Sequence, residues 1–203
     1  MSNGIQELIV DVLAARERFI AIIAPVSHEQ AHFRPDAGSW SITDNAEHMT
    51  LAERTGIVGM WKALDGIRRG VPIWTGAVVH RGRHIKEIIR LTWQEREVVP
   101  PVAAPGWGGP ISYWVSALRS GQLPLESLAR ELETAQKDGF DLATIICPHP
   151  ISGPLDVWQR LEFLRFHLDR HGEQVQALLR HPHYPVINPA WRASGRTVIA
   201  QTQ

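Results

Sequence analysis

Apolar residues recur at helical spacing along most of this chain. Ile5, Leu8, Ile9, Val12, Leu13, Phe19, Ile20 and Ile23 fall on one stripe, which predicts a helix over residues 3–25, closed by Pro25. Residues 27–40 are broken by Pro35 and Gly38 and read as a connector. A second helix is predicted from about Ser41 to Gly66. Ser41 with Asp44 three residues on makes a capping-box-like start, and His48, Leu51, Thr55, Val58 and Gly59 share a face.

Residues 67–123 are the least regular part. Ile85, Ile88, Ile89 and Trp93 predict one extra helix there, whereas Val98–Pro110 is too rich in Pro and Gly for a helix or a central strand. A third long helix is predicted to open at Pro124 and to use Leu125, Leu128 and Leu132. A fourth opens after Gly153 and Pro154 and runs to about Arg180, with Leu155, Trp158, Leu161, Leu164, Leu168, Val175 and Leu178 as its apolar set. Beyond it the chain is rich in Pro and reads as a tail wrapped on the body or as a partner-binding arm. No run alternates with the period of a strand, and no segment repeats. The expectation is an all-α, four-helix bundle with a long crossover between its second and third helices. One domain would span residues 1–180, with residues 67–123 as the crossover and 181–203 as the tail.

Composition narrows the function. Lys plus Arg equals Asp plus Glu at 21 each, so no nucleic-acid partner is expected. The first residues lack a basic start followed by an apolar core, and no stretch of about 18 apolar residues exists. The expectation is a cytoplasmic protein with no membrane contact. The single Cys147 excludes an internal disulfide and a cysteine-based zinc site. Histidine is then the residue type to follow.

Two histidines four apart on a helix point the same way and can share a metal ion. The pairs His28/His32, His80/His84 and His167/His171 have this spacing. His28 and His32 sit between Pro25 and Pro35, and His80 and His84 bracket Gly82 among arginines, so both pairs read as exposed, solvated histidines. His167 and His171 lie mid-helix on the stripe of Leu164, Leu168, Val175 and Leu178. From spacing alone they are either metal ligands or core histidines satisfied by neighbouring polar groups. His48, on the apolar face of the second helix, is the natural third ligand, because facing helices of a bundle are where such sites are built.

These residues also carry a family resemblance. Trp40, Ser41 and His48 match a W-S-x6-H signature, and His167, His171 and Gln174 match H-x3-H followed by x-x-Gln. In order and spacing the chain resembles the DinB-like superfamily over roughly residues 3–180. The resemblance implies a four-helix bundle holding a divalent metal ion, zinc or nickel, on His48, His167 and His171. It implies a small-molecule substrate and a homodimer. It also implies an S-transferase using a low-molecular-weight thiol as cosubstrate, or a hydrolase; the alternative is a metal-binding or stress-response module without turnover. Three histidines would leave zinc an open coordination position, the mark of a catalytic site.

The remaining candidates have two readings each. Asp44 either accepts the free N–H of His48 or serves only the helix start. Gln174 bonds locally or closes the site. Glu47 and Asp169 neighbour ligands in sequence but point elsewhere. Arg16, within the stripe of the first helix, either reaches the pocket and holds an anionic substrate or snorkels at the stripe edge. Trp40 staples the entry to the second helix, and Trp107 and Trp114 are core or pocket rim. Cys147 beside His149 is a sequence neighbour and not a catalytic geometry.

Overall fold

The computed structural model describes residues 4–94 and 97–186. The stripe in the first segment forms helix α1 (Ile5–Ile23), followed by a single short turn of helix, α2 (His28–His32). Helix α3 (Ile42–Arg68) starts where Ser41 predicted. The Ser41 hydroxyl accepts the N–H of Asp44 at 3.1 Å, and the Asp44 carboxylate accepts the N–H of Ser41 at 2.7 Å. Helix α7 (Val157–Leu179) opens with the same device, built by Asp156 and Gln159. Both long helices therefore have fixed starting points, which sets the register of every side chain they carry.

The crossover holds more structure than expected. It contains helix α4 (Ile85–Thr92), a 3₁₀ turn at Pro101–Ala103 and a second helix, α5 (Ile111–Ser120). Helix α6 (Gln122–Lys137) follows after Gly121, two residues before the predicted start at Pro124. Proline fits in this first turn because its missing N–H has no helical partner there.

A two-stranded antiparallel hairpin, β1 (Ile146–His149) with β2 (Gly153–Asp156), corrects the expectation of a chain without strands. Its register sets Pro148 opposite Pro154. Proline cannot donate to a ladder, so four-residue strands each holding one give no strand signal. Gly153, at φ +73°, makes the turn that returns the chain to α7.

The fold is predominantly helical, with α1, α3, α5, α6 and α7 sharing one core that includes Val12, Phe19, Met49, Leu64, Leu128 and Leu161. Among the described residues no helix is long and apolar enough to cross a membrane. Residues 181–186 close against the connector, where Tyr184 meets the ring of Phe33 edge-on at 5.5 Å. The rest of the expected tail lies outside the described residues.

Arg16 neither reaches the pocket nor snorkels. It is fully buried, and its guanidinium grips the Glu53 carboxylate of α3 from Nε at 3.2 Å and from Nη2, while Nη1 donates to Gln122 of α6. Three helices are pinned at one point by a pair of charges shielded from water. Removing one partner strands the other charge in the core. Glu53→Ala is expected to lower unfolding free energy by about 3–5 kcal/mol. Adding Arg16→Met should recover part of that loss. Urea denaturation of the two variants checks this, and a Glu53→Ala protein as stable as the parent would contradict it.

Candidate metal centre

His48 projects from the second turn of α3, and His167 and His171 project from the middle of α7. All three are buried. Their Nε2 atoms converge. His167 Nε2 lies 3.2 Å from His48 Nε2 and 3.1 Å from His171 Nε2, and the three ligand atoms all fall within 4.8 Å of one another.

The outer nitrogens decide the tautomers. His48 Nδ1–H donates to the Ala103 carbonyl at 2.7 Å. His171 Nδ1–H donates to Asn45 Oδ1 at 2.8 Å, and the Asn45 amide is oriented by its own donation to the Ser41 carbonyl at 2.8 Å. Both Nε2 atoms therefore present lone pairs to the Nε2 of His167. Two acceptors then face a group with at most one proton to give. A divalent cation satisfies that arrangement, and a metal–nitrogen bond of about 2.0–2.1 Å in tetrahedral geometry sets neighbouring donors about 3.3 Å apart. The donor set and its spacing fit such an ion.

The Pro/Gly segment is what completes the centre. Glu47, one residue before His48, points away from the pocket and accepts the backbone N–H groups of Gly106, Trp107 and Gly108 at 2.8–3.0 Å. This anchors the segment on α3 and brings the Ala103 carbonyl over His48. Glu47 is thus fully occupied as an anchor.

The histidines open into a cavity of about 870 Å³, a size suited to a small molecule. Trp40 stacks on His171 with an interplanar angle of 19° and packs on His48, so it covers the centre as well as entering α3. Trp93 and Phe163 flank His167. The hairpin turn, Val102 and Ala103 close other walls.

The other candidates fall into place around this. Asp44 serves the cap and pairs with Arg34 at 2.8 Å, leaving His48 to Ala103. Gln174 lines the cavity. Asp169 pairs with Arg18 and Arg165 away from the centre. Trp107 is exposed and Trp114 is buried, and neither lines the cavity. His28 and His32 are exposed as expected. His80 is not: it is buried and donates from Nε2 to the Ser152 carbonyl at 2.8 Å, docking the crossover on the hairpin turn. His84 is exposed and caps α4. Cys147 lines the cavity, but burial pushes its thiol up to about 12, which removes it as a nucleophile.

Sequence reasoning missed Asn45, the Ala103 carbonyl and Arg160. Asn45 stands one helical turn before His48 on the same face, which is the signal that marks it. Arg160 stands two turns before His167. The carbonyl carries no sequence signal.

A model of the DinB superfamily matches residues 12–175, a span that contains all three histidines. The chain belongs to the DinB superfamily. Neither the curated proteins nor the solved structures gave a match. The family match over residues 12–175 bears out the resemblance to the DinB-like superfamily.

Burial keeps this DinB chain's central imidazoles neutral. His167 and His171 are held well below the ordinary histidine value, His48 is lowered, and His149 on the cavity wall is lowered to about 3, first by burial and then by Arg160. The linkage has one sign. Above about pH 6.5 both folded and unfolded histidines are neutral, so stability is unaffected. Below it the unfolded chain takes up protons that the folded chain refuses, and stability falls by up to about 1.4 kcal/mol per pH unit for each histidine. Chelator-treated protein is expected to unfold at lower urea concentrations as pH drops from 7 to 5, with a shallower decline for His149→Asn. Unchanged or rising stability over that range would contradict this.

Proposed function

We propose that this DinB protein binds one divalent metal ion on His48, His167 and His171 and is a metal-dependent enzyme acting on a small molecule. The observation that carries the reading is the convergence of three Nε2 atoms, two of them with lone pairs directed inward by bonds from Nδ1. Zinc and nickel both suit three imidazoles. Such an ion, when bound, offers a Lewis-acid position that acidifies a water or thiol.

The chain's own residues supply the rest. Ala103 and Asn45 hold two of the imidazoles in the tautomer that faces inward. Trp40, Trp93 and Phe163 exclude water from three sides of the centre. Among the described residues, the carboxylates that line the cavity, Glu97 and Glu173, are not buried. A thiol acidified at such an ion would lose its proton to solvent, and the resemblance to DinB-like S-transferases makes it the preferred reading beside hydrolysis. A low-molecular-weight thiol is therefore the proposed cosubstrate, in a protein acting in the cytoplasm.

Elemental analysis tests the reading. The purified protein is expected to carry about one equivalent of metal per chain, and His48→Ala, His167→Ala and His171→Ala are each expected to lose it. Asn45→Ala should bind the ion about 10–100-fold more weakly, because His171 loses the partner that orients it. A parent protein with no stoichiometric metal after reconstitution, or histidine variants that retain it, would overturn the proposal.

A further inference from the structure

Arg160 lies in the first turn of α7 and lines the cavity while only 7% exposed. Its Nη1 is buried and has no hydrogen-bond partner. Among the described residues no carboxylate forms an ion pair with it; the nearby Cys147 thiol, pushed up to about 12, stays neutral and cannot balance its charge. Burial lowers the guanidinium only to about 10, so it remains a cation at neutral pH. The group lies 4.9 Å over the ring of Phe163, and its charge bears on His149 and His167.

Its seat is shaped for it. Nη2 rests against the α3 backbone at Gly56, where a Cβ would collide with it and would stand 3.0 Å from Cζ. Gly56 lines the same cavity. A buried, unpaired cation is costly to keep, and a fold holds one where something else supplies the counter-charge. With an ion on the three histidines, two cationic centres would face one cavity.

We propose that Arg160 is the anion-binding residue of this pocket, so that the small molecule taken there carries a carboxylate or similar oxyanion for the guanidinium while its reacting end faces the histidines. The forked donors of arginine match a carboxylate in two parallel bonds, and Phe163 holds the fork in place. Trp93 and Phe163 beside it suit an apolar or aromatic body next to the anionic group. The inference rests on reading the cavity as a substrate pocket, and it does not require the metal.

The probe is benzoate, with neutral benzamide as its uncharged match. Binding is measured by calorimetry on the full chain as purified and after chelation, with metal content determined in parallel. The parent protein is expected to bind benzoate at least about tenfold more tightly than benzamide, and the preference should survive chelation. Arg160→Met should abolish the preference while leaving metal content unchanged. Gly56→Ala, which keeps the charge but moves it, should reduce it. Equal binding of the two probes to the parent protein, or a preference that persists in Arg160→Met, would overturn the proposal. The parent comparison decides the matter even if a variant fails to fold. A benzoate preference in a protein that never holds metal would leave this inference standing and remove the metal-dependent function. Full metal occupancy without the preference would do the reverse.

Discussion

Three imidazoles buried against one another each need a place for a proton, and the structure around the centre is organised by where those protons go. A single outward bond settles His48, which donates to Ala103, and a second settles His171, which donates to Asn45. With those bonds made, the inward nitrogens are lone pairs, and the centre is a donor set that could hold a cation. Without them either ring could turn its proton inward and the set would be lost. The chain recruits distant parts to make them. The Ala103 carbonyl belongs to a segment that would otherwise pass over the surface, and Glu47 draws it in through three backbone N–H groups. Adjacent residues on α3 thus divide the labour: Glu47 anchors the segment, and His48 uses what it brings.

Convergence to within hydrogen-bond distance demands that α3 and α7 keep their register. Their capping boxes fix where each begins, and the Arg16–Glu53–Gln122 contact ties α1, α3 and α6 together at one buried point. The hairpin sets the entry of α7 and supplies a cavity wall, while Gln159, inside the cap of α7, also donates to the carbonyls of His80 and Arg83 and so fastens the crossover. The same helix carries Arg160, His167 and His171 along one side of the cavity. One rigid element therefore sets the guanidinium and two of the three histidines relative to each other.

Much of this was legible in the chain before folding, for physical reasons that differ by element. The long helices were readable because each buries one face, and periodicity records burial. The start of α3 was readable because a cap is local chemistry between Ser41 and Asp44. The histidines were readable because i, i+4 spacing on an apolar stripe has a geometric meaning. What escaped depends on tertiary contact. The hairpin uses prolines where strands are usually marked by β-branched residues. His80 became buried only when the crossover met the hairpin turn. Arg16 looked like a group seeking solvent or substrate because its partners, Glu53 and Gln122, lie far away in sequence. The Ala103 carbonyl belongs to the backbone and has no letter in the sequence. Arg160 could be placed on the helix face of His167, but that no carboxylate among the described residues pairs with it became visible only in the folded chain.

The most direct test of the central claim is the anomalous diffraction of crystals grown after reconstitution with zinc. The account predicts one peak per chain, about 2.0–2.2 Å from the Nε2 atoms of His48, His167 and His171, with an open position facing the cavity and the Nδ1 bonds to Ala103 and Asn45 intact. A centre that stays empty under those conditions, or a peak bound instead at an exposed pair such as His28 and His32, would contradict it.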